Sequence, residues 1–371
     1  MPDTPHTIPR SAKSSAFAAV PPPETIRRIL VCQLRQIGDV LLVTPSIELL
    51  SRQYPQAEIH VFTEKKCTPM LENNPHVHTL WPVDKKAFPT PLHEYAWYWK
   101  IAATGFDIVA DFQQLPRCRA LTFMSRARVR LSFPPPWYLR PLYTHWAQPA
   151  PAYAGAYKAG VLAPLGITWQ GERPRLYLTE QERSEAGRQL TVMRLDGKPF
   201  ISVDATHRQY TRRWPISHYA ALMDMLADAL PDMHFLLPFG PGEEPEIRAL
   251  REQCRNKERV AVPDAMLSLR GMAACMERAA MHLGNCSSPR HMAVALNVPT
   301  FTLLGATGTG WQFPSPEHAH ARARDFLDMP CQHCNKNSCE TGVACMEKLT
   351  PELVFPKLMS HLREHGKRRP A

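Results

Sequence analysis

The 371-residue sequence contains no apolar run of the roughly 18 residues that a membrane-spanning helix needs. Residues 1–23 also lack the continuous apolar core of a secretory signal peptide, so we expect a cytoplasmic protein. No G-x-G-x-x-G segment follows the first apolar strand, which weighs against a dinucleotide-dependent oxidoreductase, and the absence of G-x-x-x-x-G-K-[ST] weighs against a P-loop NTPase. The sequence contains 34 Asp and Glu residues and 44 Lys and Arg residues. The resulting net charge of +10 indicates an acidic partner.

The composition is that of a globular chain, with 44% hydrophobic and 21% charged residues. Its length predicts two domains, each large enough for its own core. Apolar runs of strand length alternate with helical periodicity, which predicts an α/β fold with parallel sheets covered by helices on both faces. We divide the sequence into a disordered lead at residues 1–25, one domain at residues 26–195, a second at residues 196–328, and a cysteine-rich segment with a C-terminal helix at residues 329–371.

The most informative stretch begins with an apolar, β-branched run at residues 29–34, which predicts a buried parallel strand. Gly38 breaks the run, and apolar residues return at helical spacing directly after Asp39. Asp39 is therefore predicted at the carboxyl edge of a sheet, where open α/β folds bind ligands. Helix capping is the ordinary alternative role for an Asp at such a place. Pro45 falls within the following helix and predicts a kink there.

The order Arg35-Gln36-Ile37-Gly38-Asp39-Val40, followed by Thr44-Pro45, resembles the opening motif of the family-9 glycosyltransferases, the bacterial heptosyltransferases. The resemblance extends from about residue 26 to residue 362. It implies a GT-B-type α/β fold, in which two Rossmann-like domains with parallel sheets face a central cleft, the first for the acceptor and the second for the nucleotide sugar. It also implies that Asp39 is the general base that deprotonates the acceptor hydroxyl, with no cofactor needed for catalysis.

Two segments of the second half resemble the parts of the family that hold the donor. Arg212 precedes Trp214-Pro215 at the position of a family lysine that meets the donor diphosphate, and Thr206 lies in the same loop. A merely solvated loop is the alternative for this arginine. Glu244 follows the next strand and is the predicted partner of the ribose hydroxyls, although Glu243 or an ordinary first-turn acid fits the same pattern.

A third segment resembles the family pattern Gly-x-Asp-[Ser/Thr]-Gly-x-x-His at the start of a helix. Gly284, Ser287 and His291 match it. Cys286 replaces the Asp that contacts the donor sugar, and Ser288 replaces a Gly that lets the backbone approach phosphate. Because amides at a helix N-terminus attract anions, we expect donor binding through residues 286, 287, 288 and 291. The missing carboxylate leaves the identity of the donor sugar open.

Arginines are concentrated in one part of the first half: Arg117, Arg119, Arg126, Arg128, Arg130 and Arg140. Guanidinium groups are well shaped for phosphate and carboxylate. With Arg35 of the opening motif, the first two of these arginines are predicted to bind an anionic acceptor. A solvated basic face is the alternative.

Four cysteines near the C-terminus, Cys331, Cys334, Cys339 and Cys345, follow the spacing C-x2-C-x4-C-x5-C. Four thiolates suit a tetrahedral zinc site, and in a reducing compartment a metal is favoured over two disulfides. An iron–sulfur cluster uses the same ligands, and free thiols are a further alternative. We therefore predict a structural metal without a catalytic role.

Together these features predict an inverting glycosyltransferase that moves heptose from ADP-heptose to a lipopolysaccharide core or a related cell-envelope glycan. The alternative is a non-catalytic scaffold of the same fold that has lost donor chemistry through Cys286. We expect a lipid-linked anionic acceptor, peripheral contact with the inner membrane, and no nucleic-acid partner.

Overall fold

The computed structural model describes residues 13–16 and 19–367. The chain divides into two compact units, Met1–Pro174 and Arg175–Ala371. This division lies earlier than the predicted boundary after residue 195. The reason is the helix Glu180–Val192, which packs on the helix Leu269–Glu277 of the second unit.

The first unit is built on a seven-stranded sheet within the described residues, in the order β1-β7-β6-β5-β2-β3-β4. Its strands are β1 (Lys13–Ala16), β2 (Arg28–Cys32), β3 (Glu58–Glu64), β4 (Thr79–Val83), β5 (Ile108–Asp111), β6 (Val129–Ser132) and β7 (His145–Gln148). Its α-helices in the described part are α1 (Ile37–Leu41), α2 (Thr44–Gln53), α3 (Pro91–Ala102), α4 (Pro116–Ser125) and α5 (Ala154–Ala159). All pairings are parallel except that of β1 with β7.

The second unit carries a fully parallel sheet of six strands in the described part of the chain, in the order β10-β9-β8-β11-β12-β13. Its strands are β8 (Phe200–Asp204), β9 (His234–Leu236), β10 (Val260–Ala261), β11 (Met281–Asn285), β12 (Thr300–Leu304) and β13 (His318–Arg322). Its α-helices there are α6 (Glu180–Val192), α7 (Ile216–Ala229), α8 (Glu244–Gln253), α9 (Leu269–Glu277), α10 (Ser288–Ala295), α11 (Ala344–Glu347) and α12 (Pro351–His365). The predicted α/β class with two Rossmann-like units is confirmed.

The predicted disordered lead is wrong in part. Lys13–Ala16 forms β1, with Lys13 opposite Gln148 of β7, and Pro23–Thr25 forms a 3-10 turn. The remaining residues of that prediction before position 19, residues 1–12 and 17–18, lie outside the described residues.

The helix that follows the opening strand is interrupted where the sequence predicts a kink. α1 ends at Leu41, and α2 begins at Thr44 with Pro45 in its first turn, where a proline costs no hydrogen bond. The short α1 therefore carries Asp39 separately from the longer α2.

Each unit buries its own apolar side chains between sheet and helices. In the first unit, Leu30 and Val109 of the sheet pack with Ile101 of α3 and Leu121 of α4. Parallel strands covered on both faces are buried, as β8 is along its whole length and β2 is from Ile29 to Cys32. In residues 13–16 and 19–367, no helix combines the length and the apolar character needed to cross a membrane.

Candidate active site

Asp39 lies on α1, directly beyond the carboxyl end of β2. Its Oδ2 accepts a hydrogen bond from the Gln36 amide over 3.4 Å and completes a capping box, so the capping role is present. Its Oδ1 lies 3.2 Å from Nζ of Lys158, and 27% of the Asp39 side chain remains exposed. The carboxylate is thus held on both oxygens while it stays accessible to a ligand.

Lys158 reaches this carboxylate from α5 and is itself buried. Its Nζ also donates to Oε1 of Gln33 over 3.0 Å. Burial lowers the pKa of Lys158, and the attraction to Asp39 opposes that shift. A buried ammonium is costly unless it is paired, so the contact indicates an electrostatic support for a negative charge on Asp39.

The loop between β2 and α1 is fixed by Gln113, which follows β5. Oε1 of Gln113 accepts from the amides of Leu34, over 3.0 Å, and of Arg35, over 3.2 Å, and its Nε2 donates to the Arg35 carbonyl. The peptide bond between Arg35 and Gln36 is cis. Arg35 stands close to Asp39 in the sequence, and its side chain is exposed. This exposure is compatible with its predicted contact with the acceptor.

The two arginines predicted for the acceptor differ in their surroundings. Arg117 of α4 forms an ion pair with Glu94 of α3, with a second contact of 3.2 Å, and so ties the two helices together. Arg119 is half-buried, and its Nε has no hydrogen-bond partner within the described residues. Burial raises the pKa of the nearby Asp111, and the charge of Arg119 opposes this. Arg119 is therefore the better placed of the two to accept an anion.

In the second unit, Asp204 ends β8 beside Gly284 of β11. A Cβ on Gly284 would lie 2.8 Å from both the Asp204 carbonyl oxygen and its Cβ, so only glycine fits there. The hydroxyl of Ser287 donates to Oδ2 of Asp204. Burial raises the pKa of Asp204 to about 7, the Ser287 hydroxyl lowers it, and the negative charge of Glu243 raises it.

The loops that follow β8 and β11 are joined by His207 and Asn285. The Gln209 amide donates to Nδ1 of His207 over 2.9 Å, which leaves Nε2 to donate to the Cys286 carbonyl over 3.1 Å. The Asn285 side chain donates to the Thr206 carbonyl over 3.2 Å. Burial and then the charge of Arg212 lower the pKa of His207, which favours its neutral form. Thr206 and Cys286, predicted from separate motifs, thus lie in adjoining loops.

The neighbouring cations of the loop after β8 have different roles. Arg213 forms an ion pair with Glu246, with contacts of 3.0 and 3.2 Å, and donates twice to the His207 carbonyl, so it braces the loop. Nε of Arg212 is buried and has no hydrogen-bond partner in the described part of the chain. Trp214 fixes the segment, because its amide donates to Asn285 over 3.0 Å. Arg212 therefore stays the predicted cation for a donor phosphate.

The two acidic residues that follow β9, Glu243 and Glu244, also make different contacts. Glu244 is the first residue of α8 and pairs with Arg248 over 2.8 Å, the contact expected of a first-turn acid. Glu243 accepts from the Gly240 amide over 2.7 Å, and its charge acts on Asp204. The geometry favours Glu243 over Glu244 as an acid near the end of β8.

The helix α10 contains a buried cation that sequence reasoning did not single out. Arg290 is 1% exposed, and its Nη2 lies 3.6 Å from Sγ of Cys286 and 3.1 Å from Nε2 of His291. Nε and Nη1 of Arg290 have no hydrogen-bond partner among the described residues. Ser288 is the first residue of this helix, and the His291 ring lies 6.2 Å from the ring of Trp311. The first turn of α10 thus places a buried positive charge at the N-terminal end of a helix.

Comparison with protein families matches residues 100–343 to the model of glycosyltransferase family 9 (heptosyltransferase). The chain belongs to glycosyltransferase family 9. Lipopolysaccharide heptosyltransferase 3 of Escherichia coli K12 is 24% identical over 337 residues, which cover 86% of this chain and 97% of that protein. As a member of this family, the protein is a nucleotide-sugar-dependent glycosyltransferase.

Solved structures of family 9 proteins share the fold. The glycosyl transferase family 9 protein of Veillonella parvula has a TM-score of 0.77 and 23% identity and covers 91% of this chain and 97% of its own. An Escherichia coli heptosyltransferase solved with ADP-2-deoxy-2-fluoro heptose has a TM-score of 0.68 and 20% identity over 90% of this chain and 99% of its own. These likenesses confirm the two-unit architecture of the glycosyltransferase.

The four C-terminal cysteines of this family 9 enzyme are all free. Cys331 and Cys334 are exposed, Cys339 is half-buried and Cys345 is buried. In residues 13–16 and 19–367, no group of three or more His, Cys, Asp or Glu side chains is placed to hold a metal ion. Burial, followed by the negative charge of the other three cysteines as thiolates, raises the pKa of Cys345 to about 11. The structural metal site stays a prediction.

Sequence reasoning missed three functional candidates of this glycosyltransferase: Lys158, Asp204 and Arg290. Asp204 had a usable signal, because it is an acid at the end of an apolar strand, like Asp39. The sequence carries no such signal for Lys158 or Arg290, because the contact that marks each as a candidate is made only in the folded chain.

Proposed function

We propose that this glycosyltransferase transfers heptose from ADP-heptose to a lipopolysaccharide core, with inversion at the anomeric carbon. Relatives named as lipopolysaccharide heptosyltransferases support the sugar and the acceptor class. The relative solved with an ADP-heptose analogue supports the donor. The observation that carries the mechanism is the partly exposed Asp39 carboxylate, held by the Lys158 ammonium at 3.2 Å.

In this mechanism, Asp39 removes the proton from the acceptor hydroxyl as the oxygen attacks the anomeric carbon of the donor. The bond between that carbon and the diphosphate breaks, and ADP leaves. Arg212 and the amides that begin α10 near Ser287 stabilise the negative charge of the departing diphosphate. Arg35 and Arg119 bind anionic groups of the acceptor.

The test is Asp39→Asn in an assay of ADP release with ADP-heptose and a lipopolysaccharide-core acceptor. General-base catalysis contributes about 10²–10⁴-fold, so we expect kcat to fall by at least about 100-fold while the Kd for ADP-heptose, measured by calorimetry, stays unchanged. Asn keeps the size of the side chain but cannot take the proton. Unchanged turnover would reject the role of Asp39.

A matched control is Asp84→Asn, because Asp84 also caps a helical segment of the first unit, where it accepts from the Lys86 amide over 3.0 Å. We expect this variant to turn over like the wild type. If the wild type binds no ADP-sugar at all, the alternative of a non-catalytic scaffold, suggested by Cys286, replaces the proposed transfer.

A further inference from the structure

The loop that follows β12, residues 305–312, lies at the same edge of the second sheet as the loops of the candidate donor site; we call it the β12 loop. β8, β11 and β12 are parallel, so their carboxyl ends meet at one edge. The amide of Ala306 donates to the Thr211 carbonyl over 3.3 Å, and a Cβ on Gly305 would lie 2.6 Å from that same oxygen. The β12 loop therefore packs directly against the loop that carries Arg212.

The cysteine-rich segment ties down the start of the β12 loop at three places. Nε2 of Gln332 donates to the Leu304 carbonyl over 2.6 Å. The Asn335 amide donates to the Ala306 carbonyl over 2.8 Å, and its Oδ1 accepts from the Gly308 amide over 3.2 Å. A backbone held by such contacts fixes the positions of the side chains that it carries, as a binding site requires.

Two polar side chains of the β12 loop are buried without a hydrogen-bond partner. Thr307 is 1% exposed and Gln312 is 8% exposed. The Thr307 hydroxyl and both Nε2 and Oε1 of Gln312 find no partner among the described residues. Buried polar groups of native proteins are nearly always paired, because an unpaired group has lost its hydrogen bonds to water. These atoms therefore point to a ligand that completes their hydrogen bonds.

An aromatic ring adjoins these polar groups. Trp311 precedes Gln312 in the chain and is 36% exposed, and its ring lies 6.2 Å from the ring of His291 on α10. Aromatic side chains with a few well-placed polar groups are the usual lining of a ligand site. Thr307, Trp311 and Gln312 are all uncharged. The combination suits a neutral ligand that carries both hydroxyl groups and apolar C–H faces, as a sugar does.

We propose that the β12 loop forms the subsite for the transferred sugar, with Thr307 and Gln312 bonded to its hydroxyl groups and Trp311 packed on its ring. The predicted ribose contact follows β9, and the predicted diphosphate contacts follow β8 and β11. The donor therefore runs along the edge of the sheet in the order β9, β8, β11, and the next strand is β12, about 4.8 Å further on. The proposal deepens the proposed function, on which it rests, because it names residues that select the donor sugar.

The subsite also bears on the cysteine at position 286. A thiol is a weak hydrogen-bonding group, whereas a carboxylate is a strong acceptor for sugar hydroxyls. The Gln312 amide both donates and accepts, so it supplies polar contacts that the Cys286 side chain does not. We therefore expect recognition of the sugar in this chain to depend on the β12 loop.

The test compares the Kd for ADP-heptose with the Kd for ADP, both measured by calorimetry on the full chain. Gln312→Met and Thr307→Val remove the polar atoms and keep nearly the same shape. Each should raise the Kd for ADP-heptose roughly five- to tenfold, the loss of one or two hydrogen bonds, and leave the Kd for ADP unchanged. Trp311→Leu should likewise weaken the binding of ADP-heptose but not of ADP.

Stability separates this role from a structural one. Without a donor the buried atoms of Thr307 and Gln312 are unpaired, so Gln312→Met and Thr307→Val should unfold at the wild-type urea concentration or above it. The control is Thr302→Val, because the Thr302 hydroxyl is also buried without a partner in the described part of the chain but lies within β12. This variant should bind both ligands like the wild type.

Folded variants of the β12 loop that bind ADP-heptose as tightly as the wild type overturn the subsite and leave the proposed transfer intact. An equal loss of affinity for ADP and ADP-heptose also overturns it, since the loop then acts on the nucleotide or on the fold. So does unfolding of Gln312→Met and Thr307→Val at lower urea concentrations, which would show that the polar atoms support the fold. A wild-type chain that binds no ADP-heptose rejects the proposed function and the subsite together.

Discussion

Lys158→Met tests whether the buried ammonium holds the general base in position. At 3.2 Å, and with an effective dielectric constant of about 20, the attraction to Asp39 amounts to about 5 kcal/mol before desolvation is subtracted. Burial nevertheless lowers the pKa of Lys158, so desolvation outweighs this attraction. Met keeps the apolar stem, and Asp39 is 27% exposed to water, so we expect the folding free energy to change by no more than about 1–2 kcal/mol.

The effect on catalysis should be larger than the effect on stability. Without the ammonium, Oδ1 of Asp39 loses the contact of 3.2 Å that holds it, while Oδ2 keeps the Gln36 amide. A displacement of a catalytic group by about 1 Å costs on the order of 100-fold in rate, so we expect kcat to fall by about 10- to 100-fold.

The control for this experiment is Arg52→Met, which removes a cation of the first unit that pairs with Glu48 and Glu172 on its surface. This variant should keep the wild-type kcat. A folded Lys158→Met variant that turns over at the wild-type rate would show that the ammonium does not position the base.

Two further predictions concern the second unit. The pKa of Asp204 is about 7 in the folded chain against 3.8 for the free side chain, so its stabilising contribution is complete below pH 3.8 and is lost as the pH rises to 7. Asp204→Asn should therefore reduce the fall in stability between pH 5 and pH 8, measured by urea unfolding, by roughly 2–3 kcal/mol; an identical fall in both proteins would contradict this. Cys286→Asp should raise the unfolding free energy by about 1 kcal/mol relative to Cys286→Ser, because the buried Arg290 gains a counter-ion; a Ser variant of equal or greater stability would show that Arg290 is already neutralised.

The sequence by itself determined the fold class, the family and the places of the main motifs. Hydrophobic periodicity and the breaks that Gly and Pro introduce depend only on neighbours in the chain. The strand β2, the break before Asp39 and the interrupted helix at Pro45 could therefore be predicted. The motif glycine at position 284 could be recognised but not explained, because its close approach to Asp204 requires β8 and β11 to be adjacent.

Only the tertiary structure decided which charged groups are available and which are engaged. The motif singles out Arg212 over Arg213, but only the structure shows that Arg213 braces a loop through Glu246 while Nε of Arg212 has no partner in the described part of the chain. In the sequence Lys158 cannot be told from the other lysines, because its contact with Asp39 of α1 is made only in the folded chain. The physical reason is that ion pairing and desolvation depend on distances between residues far apart in the chain, and the folded arrangement of strands and helices sets those distances.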